Sequence, residues 1–224
     1  IRAINAGRVA SANIDRYLGF DHKIKLEVEL PTVQFKGKHE CGRCELGERA
    51  ACGAMDDRIC CAIVAEAMKE MKSEHDVYAV FTVQEEVGCR GGSPAAYAIE
   101  PDLNISLDVT GVGDIPECSR MAVSLGCGPT VKVMDSSVIV PPVVRAFIEA
   151  AAEEDGIPYQ REVLRAGGTD TGAIQRTRGG ILSGCISVPT RYIHTPVETV
   201  DMKDVDNAVK LLCACLKRKE LPRR

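Results

Sequence analysis

The sequence contains no uninterrupted apolar run of the ~18 residues that a membrane-spanning helix needs. It shows no basic start followed by an apolar stretch and a small-residue cleavage pattern, so no secretory leader is legible and a cytoplasmic location is expected. The first residue is Ile1 rather than Met, which makes a longer parent protein the expectation. Lys and Arg total 28 against 32 Asp and Glu, giving a formal net charge of −4, and aromatic residues make up only 4%. No basic stripe interleaved with aromatics can be drawn from that composition, so no nucleic-acid partner is expected, and no membrane. The closing Lys217-Arg218-Lys219 and Arg223-Arg224 suit a solvated helix end, where cations meet the negative end of the dipole.

Cysteine is not scarce. Eleven are scattered from Cys41 to Cys215, many inside apolar runs where a thiol acts as a small hydrophobe. A reducing compartment fits this better than a disulfide framework. Cys41-Gly-Arg-Cys44 has metal-type spacing, but no second C-x-x-C follows to complete a structural zinc site, so it reads as a pair of loop thiols. With 224 residues, 45% hydrophobic and 27% charged, the chain has the composition of a globular protein with one substantial core.

Two regions differ in pattern. In residues 1–50, Lys23 to Leu30 alternates charge and aliphatics with the period-two signature of a half-buried strand, and Pro31 stops it. The stretch from there to Ala51 is polar, Gly-rich and loop-like. This region is expected to be part of a small β-rich module and linker. In residues 51–224, helical and strand patterns alternate. A helix starts near Met55 with Ile59, Ile63, Ala67 and Met71 on one face. Val77–Val83 is a β-forming run expected to be a strand buried on both faces. Ser93–Ile99 is a short helix, Leu103–Val109 and Thr130–Met134 are strands, and Pro141–Glu154 is a helix with proline in its first turn. Tyr159–Leu164 is a strand, Asp170–Arg176 a short helix, Ile181–Val188 a strand and Lys203–Lys217 an amphipathic helix. The expected fold is α/β, a mostly parallel mixed sheet flanked by helices.

Chemistry-bearing residues fall just beyond strand ends, where α/β folds build their sites. They are Asp56 at a helix start, Glu85-Glu86 after a β-run, Asp108 at a strand end and His194 after another strand. Adjacent strand residues point to opposite faces, so both Glu85 and Glu86 can serve one site only if the backbone turns there; Gly88 and Gly91-Gly92 supply the means. Two carboxylates so close are costly unless a cation or shared proton compensates. Asp56, Glu86, Asp108 and His194 offer three carboxylates and an imidazole, a donor set that suits zinc, cobalt or manganese. Two divalent ions ~3.5–4 Å apart would use it fully.

Five segments in order and spacing carry a resemblance. They are Ala54-Met-Asp-Asp-Arg58, Phe81-Thr-Val-Gln-Glu-Glu-Val-Gly88, Leu107-Asp-Val-Thr110, Gly167-Gly-Thr-Asp170 and Pro189-Thr-Arg-Tyr-Ile-His-Thr-Pro-Val-Glu198. From about Leu46 to Leu216 the chain resembles the tetrahedral (TET) or glutamyl-aminopeptidase family, metallopeptidase family forty-two. That resemblance implies a co-catalytic zinc exopeptidase fold, with residues 51–224 as the catalytic domain and 1–50 as part of a dimerisation module. It implies two divalent ions bridged by Asp56, with Glu86, Asp108 and His194 completing their ligation, and Glu85 as general base. Zinc is the first expectation, cobalt or manganese the others. Gly168, Thr169 and Asp170 would stand near the pocket for the substrate, a short peptide held by its free N-terminus. Dimers building twelve-subunit shells would be the assembly. One element departs from the pattern: the family's further ligand histidine, in an early His-x-Asp, has no counterpart at His22, His39 or His75. A catalytically silent subunit therefore stays open as an alternative, and so does a related two-metal deacylase or carboxypeptidase, because ligands alone do not fix the substrate class.

Overall fold

The computed structural model describes residues 44–46, 48–116, 118 and 120–223, all within the compact unit Gly42–Arg224. The alternating segment Lys23–Leu30, the Cys41-Gly-Arg-Cys44 pair except its last backbone position, and His22 and His39 lie outside the described residues.

The frame is a mixed sheet flanked by helices, as expected. Its central strand is β6 (Leu182–Arg191), buried along nearly its whole length. On one edge β6 runs parallel to β3 (Leu103–Thr110), in register from Leu103↔Leu182 to Thr110↔Pro189. It also pairs antiparallel with two further strands: β4 (Thr130–Met134) beside Ile186 and Ser187, and β7 (Glu198–Asp201) beside Thr190 and Arg191. β5 (Gln160–Val163) extends the sheet parallel to β4, while β2 (Arg49–Cys52) and β1 (Cys44–Leu46) extend it antiparallel from β7. Among the described residues, antiparallel pairings therefore outnumber parallel ones, since the short β7 and its neighbours return along the sheet without a helical crossover. β2 corrects the expectation of a plain loop up to Ala51, and β7 forms where the sequence pattern shows no strand. Four-residue strands pinned by a distant partner leave little local periodicity to read.

One face of the sheet carries α1 (Met55–Glu70), α3 (Pro142–Glu154) and α5 (Met202–Leu216), whose apolar stripes join Val109, Ile186 and Val188 in the main core. A smaller cluster of Ala96, Ile174 and Ile181 unites α2 (Gly92–Ile99) with α4 (Asp170–Gln175). The helices match the sequence periodicity within a residue or two at each end. α3 approaches β6 closely at Gly184, where an added Cβ would lie 2.7 Å from Val144 Cγ1 and 2.9 Å from Ile148 Cδ1. Gly184→Ala is accordingly expected to cost about 1–3 kcal/mol of stability through overpacking, read as a lowered denaturation midpoint; an unchanged midpoint would show that α3 yields at no cost.

Val77–Val83 departs from expectation. It forms no strand, and Tyr78, Val80, Phe81 and Val83 are all exposed. No described strand pairs with the run, and side chains on both of its alternating faces are open. Its β-forming composition is real, but composition specifies only what a segment can pair with. Among the described residues no helix is long and apolar enough to cross a membrane.

Candidate metal centre

Each side chain of the candidate site arrives from a different element. α1 opens after Ala54, which takes a left-handed conformation (φ 56°), and Asp56 and Asp57 retain non-helical backbone angles before the regular helix begins. Asp56 is thus no side-chain cap; its carboxylate is turned toward the site. Beyond the Val77–Val83 run, Gln84 is left-handed (φ 59°), Glu85–Val87 forms one 3-10 turn and Gly88 closes it at φ 119°. This turn breaks strand alternation and gives the two adjacent carboxylates different neighbours. The chain leading into the turn passes close to Gly91, where a Cβ would stand 2.6 Å from the Val83 backbone nitrogen, so glycine is required there. Asp108 lies near the end of β3 and is buried. His194 follows β6 on a loop where it and Tyr192 are both left-handed (φ 61° and 59°).

These placements bring the expected residues together. His194 Nε2 stands 3.1 Å from Asp56 Oδ2 and 3.3 Å from Glu86 Oε2. Asp56, Glu86 and His194 form one group able to hold a cation, and Asp56, Asp57 and Asp108 form a second, with all ligand atoms of each group within 4.8 Å of one another. Asp56 belongs to both. Glu85 belongs to a third group with Cys89 and Asp170, and its Oε1 accepts a hydrogen bond from Cys89 Sγ at 3.1 Å. Of the expected pocket residues, Asp170 is the one that reaches this cluster, taking a hydrogen bond from Thr82 Oγ1 at 2.6 Å. Thr169 is buried and donates to Thr171 Oγ1, and Gly168 packs against Ser137, so neither is drawn into the carboxylate cluster. His75 is elsewhere, 3.0 Å from the Arg218 carbonyl.

The electrostatics are those of crowded acids. Burial first, then Glu86, lifts the Asp56 carboxyl from 3.8 to about 6. Burial first, with Asp56 and Glu85 adding to it, lifts Asp57 to about 7, against the lowering effect of its hydrogen bond with Cys60. Burial and then Asp57, Glu85 and Asp56 push Asp108 well above the ordinary carboxylate range. Glu85 is raised by burial, Asp170 and Glu86. Buried oxygens Asp57 Oδ1 and Asp170 Oδ1 have no hydrogen-bond partner. Orphaned buried carboxylate oxygens among like charges are unfavourable alone and suited to a divalent cation, so the donor set fits a metal.

The sign of the resulting pH dependence follows directly. A folded-state pKa above the unfolded value means that the folded chain binds more protons between the two, so stability falls as pH rises. For the metal-free protein, the contribution of Asp56 and Asp57 is full below 3.8 and is lost through about 6 and about 7. Denaturant titration of the metal-free protein is expected to give a lower midpoint at about pH 7.5 than at about pH 5. A midpoint rising over that window would contradict the crowding.

Comparison with known proteins accords with this geometry. Residues 38–211 match the family described as M42 glutamyl aminopeptidase. The chain belongs to that family. An Acetivibrio thermocellus protein described as a candidate aminopeptidase is 53% identical over 167 residues, covering 74% of this chain and 51% of that protein. The aminopeptidase APDkam598 of the archaeon Desulfurococcus kamchatkensis superposes with a TM-score of 0.76 at 39% identity, over 78% of this chain and 51% of that one. A Pyrococcus horikoshii TET1 peptidase, described as assembling into a tetrahedron or a large octahedral shell, gives a TM-score of 0.66 at 31% identity, over 77% and 51% of the two chains. This M42 chain thus spans about half the length of the relatives it matches.

Three residues of the site, Asp57, Cys89 and Glu198, are not among the candidates that the sequence singles out. In the sequence Asp57 carries no signal beyond its place beside Asp56, and Cys89 none beyond being one thiol among eleven. Glu198 acts through the backbone amides of Asp56 and His194, for which pattern reading has no signal.

Proposed function

We propose that this M42 chain carries the hydrolytic centre of a metal-dependent aminopeptidase acting on short peptides. Asp56 would be shared by two divalent ions, with Glu86 and His194 on one side and Asp108 on the other. The observation that carries the reading is the double membership of Asp56 in two cation-capable groups, with Glu85 adjoining them. Zinc suits this oxygen and nitrogen set, and cobalt or manganese suits it as well. Bound ions would supply Lewis acidity and lower the pKa of a water toward neutrality. Glu85, hydrogen-bonded to the Cys89 thiol and raised by burial, would take up the proton that the attacking water gives up and pass it to the leaving amine. Asp170, with Gly168 and Thr169 behind it, would border the substrate. A cytoplasmic location and a homo-oligomer, from dimer to dodecamer, belong to the same reading; the TET1 peptidase's shells support the second part.

A catalytically silent subunit is the second reading, favoured by the presence of a single histidine in the site among the described residues. Incubating the zinc- or cobalt-loaded protein with aminoacyl-nitroanilides and with N-acylated peptides separates the cases. Release from free N-termini supports the aminopeptidase, cleavage of acylated peptides alone supports a deacylase, and inertness toward both with metal bound supports the silent subunit.

A further inference from the structure

Glu198 is the first residue of β7, a strand of four buried residues, and its own exposure is 2%. A carboxylate so deep needs compensating donors, because burying an isolated charge away from water is strongly unfavourable. Both donors come from the candidate metal ligands themselves. Oε2 accepts the backbone N–H of Asp56 at 3.2 Å, and Oε1 accepts the backbone N–H of His194 at 2.7 Å. The sheet register explains how one side chain reaches both. Glu198 pairs with Cys52 on β2, next to the left-handed step at Ala54 that leads to Asp56. The loop carrying left-handed Tyr192 and His194 returns directly into β7. Glu198 thus sits where the entry to α1 and the exit of β6 converge.

We infer that Glu198 is a positioning residue of the metal centre: its two carboxylate oxygens tie the Asp56 and His194 backbones together and so fix the 3.1 Å spacing of their ligand atoms. A single buried charge with an ordinary structural role could take any neighbouring amides. Here the two amides it takes belong to residues remote in sequence whose side chains already meet. The carboxylate is charge-assisted in both bonds, and its two oxygens lie at a fixed separation, so it acts as a rigid spacer between the loops. Its charge also adds to the negative field at Asp56, which favours a cation there.

This inference rests on the proposed reading of the site as a metal centre, and the test separates the two. Wild-type protein, Glu198→Gln and Glu198→Asp are titrated with Co2+ after chelation, following the visible absorption of the bound ion, and the metal-free thermal midpoint of each is recorded. Gln replaces one acceptor oxygen with an N–H2 donor that faces an amide donor; Asp keeps the charge but is one methylene too short to hold both amides. Both variants are expected to bind Co2+ about 10–100-fold more weakly, with an altered absorption envelope. A merely structural role would lower the metal-free midpoint and leave affinity and envelope of the folded variant unchanged, and that result overturns the inference. A wild-type chain that binds no Co2+ overturns the metal-centre reading, and this inference with it. Should neither variant fold, amide hydrogen exchange in the wild type decides: protection at both Asp56 and His194 is expected, and free exchange at either contradicts the tie.

Discussion

Glu85→Gln is expected to lower kcat/KM on aminoacyl-nitroanilides by about 10²–10⁴-fold while leaving metal content unchanged. The substitution is nearly isosteric and keeps an oxygen to accept the Cys89 S–H bond now made at 3.1 Å. It therefore removes the capacity to take a proton and little else. Glu85 stands in a group with Cys89 and Asp170, apart from the two groups that share Asp56, so ligation should be spared. Burial and neighbouring Asp170 and Glu86 raise this carboxyl above its ordinary range, the direction that suits a group taking up a proton. Hydrolysis that survives the change at full rate would remove Glu85 from the base role. Loss of metal along with activity would place it among the ligands instead.

Asp56→Asn is expected to be the most damaging substitution for metal retention, because Asp56 alone among the described residues belongs to two cation-capable groups. Outer-shell changes typically cost ~10–100-fold in affinity, and loss of a carboxylate shared by two ions should exceed that. Stability should move the other way in the absence of metal. Asp56 sits at about 6 because burial and Glu86 oppose its charge, and a neutral amide relieves that opposition. Metal-free Asp56→Asn should therefore melt no lower than metal-free wild type at about pH 7.5. The wild type should gain stability on loading, by roughly 2.7 kcal/mol when metal is at 100 times its Kd, and the variant should gain almost none. An equal metal-induced shift in both proteins would mean that the cation binds elsewhere.

The balance between what the sequence disclosed and what it withheld has a physical basis. α3 and α5 were legible almost to their ends because an apolar stripe facing a core repeats locally, and β3, β4 and β6 because a buried strand concentrates β-branched residues. β2 and β7 were not, since each is four residues long and is held by a partner far away in the chain. Val77–Val83 was misread for the complementary reason: strong β-forming character without any described strand beside it. At the site, the Glu85-Glu86 pair pointed to a turn, and the turn is there, built from left-handed Gln84 and Gly88. The convergence of Asp56, Glu86 and His194 was readable only through the resemblance, because no local pattern states which strand ends meet. Asp57 and Glu198 were hidden more deeply. One is an acid whose raised pKa of about 7 exists only once the chain is folded, and the other acts on backbone amides that every residue possesses.

Anomalous diffraction from zinc-loaded crystals of this chain, collected at the metal edge, bears most directly on the central claim. A peak bounded by the carboxylates of Asp56 and Glu86 and by His194 Nε2, with a second on the Asp56–Asp108 side, is the expected result. Anomalous signal confined to cysteine thiols or the protein surface, with none touching Asp56, would contradict it.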